Sequence, residues 1–191
     1  MLKPLLLYSL ILLSFLACNK DKETSSPVPL INIQGFDLFD YNGNFVMHKG
    51  PPDNDWKFID SLSSEEMKLF DFETSFSLQN TKPFLITENF HVAPNPFLHN
   101  FQCTIHSADS VLLKIIIADS NLNILIKYSI KMKGTRSLAF RPEDVTSVTT
   151  GSALRLYFSV SAKDHLNFQV GYGDLKVCDA PDPSYYNSCF Y

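Results

Sequence analysis

The sequence predicts an all-β protein: an antiparallel β-sandwich, immunoglobulin-like or jelly-roll-like, with one short helical turn, following a lipoprotein signal peptide. Several segments alternate apolar and polar residues with a period of two, which is typical of half-buried strands. Prolines, glycines, asparagines and aspartates separate these segments, as they do in sandwiches of short strands. The chain of 191 residues is 45% hydrophobic and 13% aromatic, so it can bury a sizeable core and lacks the composition of a disordered protein.

Residues 1–17 have the pattern of an export signal. A charge at Lys3 is followed by an apolar run from Leu5 to Leu16, and the small residue Ala17 precedes Cys18. The apolar run is about a dozen residues long, whereas a membrane-spanning helix needs roughly 20. The Ala17-Cys18 pair resembles the bacterial lipobox, in which the cysteine takes a diacylglycerol and becomes the first mature residue. We therefore expect lipidation at Cys18, and the alternative is an ordinary secretory peptide with an incidental cysteine.

The mature chain divides into three parts. Residues 18–29 are charged and rich in serine and proline, which predicts a flexible linker between the lipid and the folded domain. Residues 30–178 carry the strand patterns and form the predicted β-sandwich domain. Residues 179–191 are a C-terminal tail that is rich in proline and tyrosine.

Two elements are predicted early in the domain. Asn42-Gly43 lies between two runs rich in apolar residues and predicts a hairpin at about residues 36–49, with a type I′ turn in which both central residues have positive φ. Ser63 and Glu66 have the spacing of a capping box and predict a helix of one or two turns. We expect no other helix in the domain.

The remaining strands follow from their patterns. Residues 101–105, 122–132 and 154–162 alternate, whereas residues 111–118 are apolar on both faces except at Lys114. Alternation predicts one core face and one solvated face, and a continuous apolar run predicts a central strand that is covered on both sides. The face of the last alternating strand that is expected in solvent consists of Arg155, Tyr157, Ser159 and Ser161.

Parts of the chain resemble two known families. The sequence VAPNPF at residues 92–97, with the strands that follow it to residue 162, is similar to the C-terminal sorting domain of type IX secretion cargo, which implies a sandwich architecture. DYNGN at residues 40–44, Asp55-Trp56 and YGDLKVC at residues 172–178 are similar to segments of small Bacteroidota lipoproteins of unknown function. The second resemblance spans most of the mature chain and implies no particular activity.

The cysteines predict one covalent link. Cys178 and Cys189 bracket a short tail that would otherwise fray, and an exported chain meets oxidising conditions, so a disulfide between them is expected. Cys103 shares its strand parity with apolar neighbours and is interpreted as a buried thiol rather than a nucleophile.

Aromatic side chains are the candidate ligand contacts. Trp56, Tyr185 and Tyr186 could stack on sugars or anchor a protein partner. The alternative is that Trp56 covers the core as a lid and that the tail packs on the sandwich.

One segment has calcium-loop spacing. Asp40, Asn42 and Asn44 stand at i, i+2 and i+4, but apolar residues follow where further oxygen ligands belong, which favours a plain hairpin turn. No other metal site, no cofactor site and no catalytic motif is indicated.

The predicted function is non-catalytic. Twenty acidic and 16 basic residues give a net charge of −4, which argues against a nucleic-acid partner because that binding depends on clustered cations. We expect an outer-membrane lipoprotein, on the periplasmic face or at the cell surface, that binds a ligand or serves as a structural part of the envelope. Its expected partners are the membrane, through the N-terminal lipid, and a protein or glycan. The alternatives are a glycan-binding accessory protein that uses exposed aromatics and a surface hydrolase.

Overall fold

The computed structural model describes residues 29–51, 55–74, 90–98, 100–141, 151–163 and 165–178, and these form an all-β fold. The single helix within them is short, as the sequence predicts. In chain order the elements are β1 (Phe36–Phe39), β2 (Phe45–Lys49), β3 (Lys57–Ile59), α1 (Ser64–Lys68), β4 (His91–Ala93), β5 (Phe101–Ala118), β6 (Ile124–Phe140), β7 (Ala153–Ala162) and β8 (His165–Lys176).

The main sheet is antiparallel and centred on β5. Its strand order is β3-β8-β7-β5-β4, and β6 pairs with the other edge of β5 along nearly its whole length. β7 pairs with residues 112–118 of β5, while β4 pairs with residues 102–104. The first half of β5 therefore lies between β6 and β4, and its second half lies between β6 and β7. β1 and β2 form a separate two-stranded hairpin.

The long β5–β6 hairpin folds back on itself and makes the two layers of the sandwich. Its register shifts between Ser107 and Val111, close to Gly134, which has a φ of 75°. The rings of Tyr128 and Phe140, both on β6, have centroids only 6.2 Å apart. A straight strand would separate those positions by about 40 Å, so the hairpin bends sharply at the irregularity.

The main core lies between these two layers. Odd-numbered residues from both halves of β5 and even-numbered residues of β7 supply it, in accordance with the alternation of strand side chains. A second cluster lies on the other face of the sheet, where Leu62, Leu69 and Phe70 pack against Ile116 and Tyr157. Residues 111–118 are consequently covered on both faces, as the sequence predicts.

The predicted helical turn is confirmed with its cap. The Ser63 hydroxyl accepts a hydrogen bond from the backbone N–H of Glu66 at 3.2 Å, and the Glu66 carboxylate accepts one from the N–H of Ser63 at 3.0 Å. These reciprocal bonds satisfy two donors at the start of α1 that have no partner within the helix.

The predicted type I′ turn is wrong, although the hairpin it joins is confirmed. Gly43 has a φ of 81°, but Asn42 is not in the positive-φ region. The Asp40 carboxylate instead accepts hydrogen bonds from the N–H groups of Asn42 and Asn44, both at 2.8 Å, and this supports a longer loop. The same D-x-N-x-N loop recurs at residues 119–123 between β5 and β6.

The predicted solvated face of β7 is also wrong. Arg155, Tyr157, Ser159 and Ser161 are all buried. The segment that carries α1 covers Tyr157, and Asn167 accepts a hydrogen bond from Ser159. Polar side chains at alternate positions resemble a solvated face in the sequence, but here they have partners inside the protein.

Candidate functional site

A polar cleft of about 190 Å³ lies where the β1–β2 hairpin meets the main sheet. Its lining residues come from the segment before β1, from β2, from the loop before β3, and from β7 and β8. The lining residues are Asn32, Gln34, Gly35, His48, Pro51, Asp55, Arg155, Tyr172 and Asp174.

A buried ion pair forms one wall of this cleft. Arg155 on β7 and Asp174 on β8 are direct cross-strand partners, and the guanidinium donates from Nε to Oδ1 at 2.6 Å and from Nη2 to Oδ2 at 2.9 Å. The guanidinium also stacks 4.0 Å from the ring centroid of Tyr172. Burial alone would lower the pKa of Arg155, but the bonds and charge of Asp174 raise it. Burial raises the pKa of Asp174, and the bonds and charge of Arg155 act against that rise, so it is the bidentate geometry that favours the ionised pair.

The ion pair continues into α1. The Tyr157 hydroxyl donates to Oε1 of Glu66 at 2.9 Å, and Nη1 of Arg155 lies 3.9 Å from the same oxygen. Burial and the charge of Glu66 raise the pKa of Tyr157, so the phenol remains a hydrogen-bond donor. Glu66 thus links the cap of α1 to the polar side chains of β7.

Asp55 joins the hairpin to the sheet. Its Oδ2 accepts the backbone N–H of Asp37 at 2.6 Å, and its Oδ1 accepts those of Asp174 and, at 3.1 Å, Trp56. Burial is the largest influence on this carboxyl and raises its pKa to about 7, while the bonds from Asp174 and Asp37 act in the opposite direction. A carboxyl with such a pKa exchanges its proton near neutral pH.

Asn95 forms a second link between the same elements. It is fully buried, and its Nδ2 donates to the carbonyl oxygens of Asp37 and Asp174, both at 2.9 Å. Its Oδ1 accepts the N–H of Lys176 at 2.9 Å, and its backbone exchanges two hydrogen bonds with Phe39. One side chain therefore satisfies backbone groups of both β1 and β8.

His48 closes the hairpin side of the cleft. Its Nδ1 lies 2.7 Å from Oδ1 of Asp37, and its Nε2 lies 2.7 Å from the carbonyl oxygen of Pro51. The hydrogen bond with Asp37, followed by the one with Pro51, raises the pKa of His48. A protonated ring donates to both acceptors, whereas a neutral ring donates to one.

We expect the stability of the protein to fall as pH rises from about 4 to about 7. Over this window Asp55 ionises in the unfolded chain before it ionises in the folded protein, so each pH unit costs up to about 1.4 kcal/mol. His48 adds a loss of the same sign at higher pH, because its raised pKa contributes stability that is fully present below about 6.5 and is lost as pH rises from there through the folded-state pKa. Urea unfolding across the window measures the slope.

The variant Asp55→Asn provides the comparison, because it cannot titrate. Its unfolding free energy should vary less with pH than that of the wild type. Equal slopes in the two proteins would contradict the assignment of this pH dependence to Asp55.

Trp56 lies half-buried beside the cleft and packs on the main core. Its indole covers Gly173 and lies 5.8 Å, between ring centroids, from Phe90. The indole Nε1 is buried and has no hydrogen-bond partner among the described residues. This placement matches the interpretation of Trp56 as a lid, and its role as a ligand contact stays a prediction.

Replacing Gly173 with alanine should displace the indole. A Cβ at this position would lie 2.6 Å from Cε2 of Trp56, which is closer than carbon atoms pack. We expect a loss of about 1–3 kcal/mol and a shift of the tryptophan emission to longer wavelength, since this chain has one tryptophan. Gly134→Ala, whose φ of 75° strains an alanine but where nothing lies within 4 Å of the added Cβ, should lose stability yet leave the emission unchanged. Unchanged emission in Gly173→Ala would contradict the packing.

The weak calcium candidate at Asp40, Asn42 and Asn44 forms the loop of the β1–β2 hairpin. Oδ1 of Asp40 accepts two backbone N–H groups, and Oδ2 accepts Nδ2 of Asn44 at 3.0 Å. These bonds, above all the one from the Asn44 side chain, lower the pKa of Asp40. Among the described residues no group of three or more His, Cys, Asp or Glu side chains is arranged to hold a metal ion.

The predicted disulfide is described only at one end. Cys178 is disulfide-bonded, and its predicted partner Cys189 lies outside the described residues. Cys18, Tyr185 and Tyr186 lie outside them as well. Cys103 is a free, buried cysteine, and burial raises the pKa of its thiol, which agrees with the prediction of an inert core residue.

Three of the sequence segments quoted for the family resemblances meet at this site. Asp55 comes from the Asp-Trp pair, Asn95 from the PNPF segment and Asp174 from the YGDLKVC segment. From the sequence, Asp55 is considered only as an additional carboxylate for the calcium candidate, Asn95 and Asp174 are not predicted as site residues, and Arg155 is expected in solvent. Their positions inside those segments were the signal in the sequence that could have identified them as site residues.

Comparison of the chain with protein-family models, with curated proteins and with solved structures finds no match. The resemblances noted in the sequence therefore stay predictions. Within the described part of the chain, no helix is both long enough and apolar enough to cross a bilayer.

Proposed function

We propose that this chain is an outer-membrane lipoprotein, on the periplasmic face or at the cell surface, whose β-sandwich binds a ligand without catalysis. Acylation at Cys18 would supply the anchor, since each buried CH₂ of an acyl chain contributes about 0.8 kcal/mol. The linker at residues 18–29 would separate the lipid from the folded domain.

The state of the charged groups in the polar cleft carries the proposal of binding without catalysis. Arg155 is held by Asp174, and Asp55 accepts three backbone N–H groups. These groups hold the hairpin on the sheet, and among the described residues that line the cleft no nucleophile is paired with a free base. The exposed amides of Asn32 and Gln34 line the same cleft and are available to a polar ligand.

Among the possible ligands, the cleft lining favours a glycan. Amide side chains, two carboxyl groups and the aromatic ring of Tyr172 lie around a volume of about 190 Å³. Sugar hydroxyls both donate and accept hydrogen bonds, and these groups complement them without requiring a net charge. A protein ligand that presents backbone or amide groups is the alternative.

Protease shaving of intact cells tests the anchoring and the leaflet. Wild type should fractionate with the outer membrane, and Cys18→Ala should be released in soluble form. Digestion of the wild-type domain would place it on the surface, and protection would place it on the periplasmic face. A Cys18→Ala protein that remains in the membrane would contradict the lipid anchor.

A glycan array tests the ligand class. The purified domain should bind one or more glycans, and the double variant Asn32→Ala/Gln34→Ala should lose that binding while Asn42→Ala, on a distant exposed loop, retains it. No glycan bound, or equal binding by all three proteins, would exclude glycan recognition by the cleft. Release of reducing sugar ends by wild type but not by Asp55→Asn would instead support the hydrolase and overturn the non-catalytic proposal.

A further inference from the structure

β6 has one edge at which the described part of the chain places no strand. It is 17 residues long and pairs with β5, and among the described residues no strand pairs with its other side. An edge of this kind presents a row of N–H and C=O groups that another extended chain can pair with.

A separate cleft of about 510 Å³ opens along this edge. Every residue that lines it belongs to β6, four from residues 125–128 and four from residues 137–140, because the strand folds back on itself. Leu125, Ile126, Leu138 and Phe140 contribute apolar side chains to the lining, and Lys127 and Ser137 contribute polar ones. Tyr128 also lines it and keeps 38% of its surface exposed. The edge therefore combines open backbone groups with a place for an apolar side chain.

The strand is basic in an otherwise acidic chain. Residues 120–141 contain no Asp or Glu, whereas the whole chain has a net charge of −4. The cations of β6 are Lys127, Lys131, Lys133 and Arg136. Lys127 lines the cleft itself, and Arg136 is exposed next to Ser137, which also lines it.

We propose that β6 is the docking edge for an extended acidic polypeptide, which adds to the sheet as a further strand and places an apolar side chain in the cleft. The alternation of strand side chains suits this mode, since backbone bonds give affinity and alternate side chains give specificity. The cations select an acidic partner and steer its approach. They also oppose pairing of two copies through β6, because like charges on neighbouring strands repel.

A synthetic peptide provides the probe. It has about nine residues, alternating glutamate and valine with a central phenylalanine, and carries a fluorophore for anisotropy titration of the purified domain. We expect saturable binding that weakens as salt is added, and protection of β6 amides from hydrogen exchange when the peptide is present. Arg136→Glu should weaken binding about tenfold. Lys68→Glu on α1, an exposed site with the same change in charge, should stay within about twofold.

Two control peptides separate strand addition from charge attraction. Replacing glutamate with lysine should abolish binding, and placing proline at the centre should weaken it strongly, because proline cannot donate to the ladder. The proposal is overturned if no binding is seen at millimolar peptide, if the proline peptide binds equally, or if Arg136→Glu and Lys68→Glu have the same effect. Sedimentation of the domain as a dimer that Arg136→Glu dissociates would assign the edge to a second copy and likewise overturn it.

Discussion

Replacing Asn95 with alanine should lower the free energy of unfolding by at least about 3 kcal/mol. The substitution leaves the carbonyl groups of Asp37 and Asp174 and the N–H of Lys176 without their partner. Each unsatisfied buried backbone group costs about 1–3 kcal/mol. Because Asn95 is fully buried, water cannot replace the lost bonds without opening the structure.

Urea unfolding followed by circular dichroism measures this loss. Asn32→Ala is the matched control, since that amide is exposed, and it should change stability by less than about 0.5 kcal/mol. The exchange rate of backbone amide hydrogens should rise most in β1 and β2, because Asn95 holds this hairpin on the sheet. A loss of less than about 1 kcal/mol in unfolding free energy would mean that the hydrogen bonds of Asn95 do not hold the hairpin on the sheet.

Arg155→Met should destabilise the protein by about 3–5 kcal/mol, because it leaves the Asp174 carboxylate buried without its counter-charge. The guanidinium also supplies the stacking contact with Tyr172 at 4.0 Å. Methionine keeps part of the volume, so most of the loss should be electrostatic.

A double-mutant cycle separates the charge from the packing. Arg155→Met/Asp174→Leu removes both charges, and it should be more stable than the single variant Arg155→Met. Arg136→Met serves as the control at an exposed arginine, with an expected change below about 0.5 kcal/mol. A double variant less stable than Arg155→Met would contradict this expectation, and one clearly less stable than wild type would show that the pair stabilises the fold beyond compensating its own burial.

Local patterns in the sequence predicted the strands and the helical cap. The alternation at residues 154–162 lies within β7, and the capping box of Ser63 and Glu66 begins α1 where expected. Lys114, which interrupts an apolar run, donates to the carbonyl groups of Phe70 and Phe72, which explains a cation in a covered strand. Each of these features depends on neighbours in the chain or on one face of one strand.

The site could not be predicted in the same way, because its members are distant in the chain. Asp55 and Asp174 are separated by 119 positions, and Asn95 and Asp174 by 79. Arg155 has the position of a solvated residue in its own strand, and it is buried by the pairing with β8, by the Tyr172 ring and by α1. Alternation reports which face a residue takes, but not what covers that face.

The order of synthesis gives these long-range anchors a further consequence. The β1–β2 hairpin and β3 leave the ribosome early, yet β3 pairs with β8, and both Asp55 and Asn95 bond to residues 174–176 at its end. The hairpins β5–β6 and β7–β8 connect residues close in the chain and can form first, since short loops close at lower entropic cost. A nascent chain that stops before β8 should therefore leave its N-terminal third undocked and open to protease.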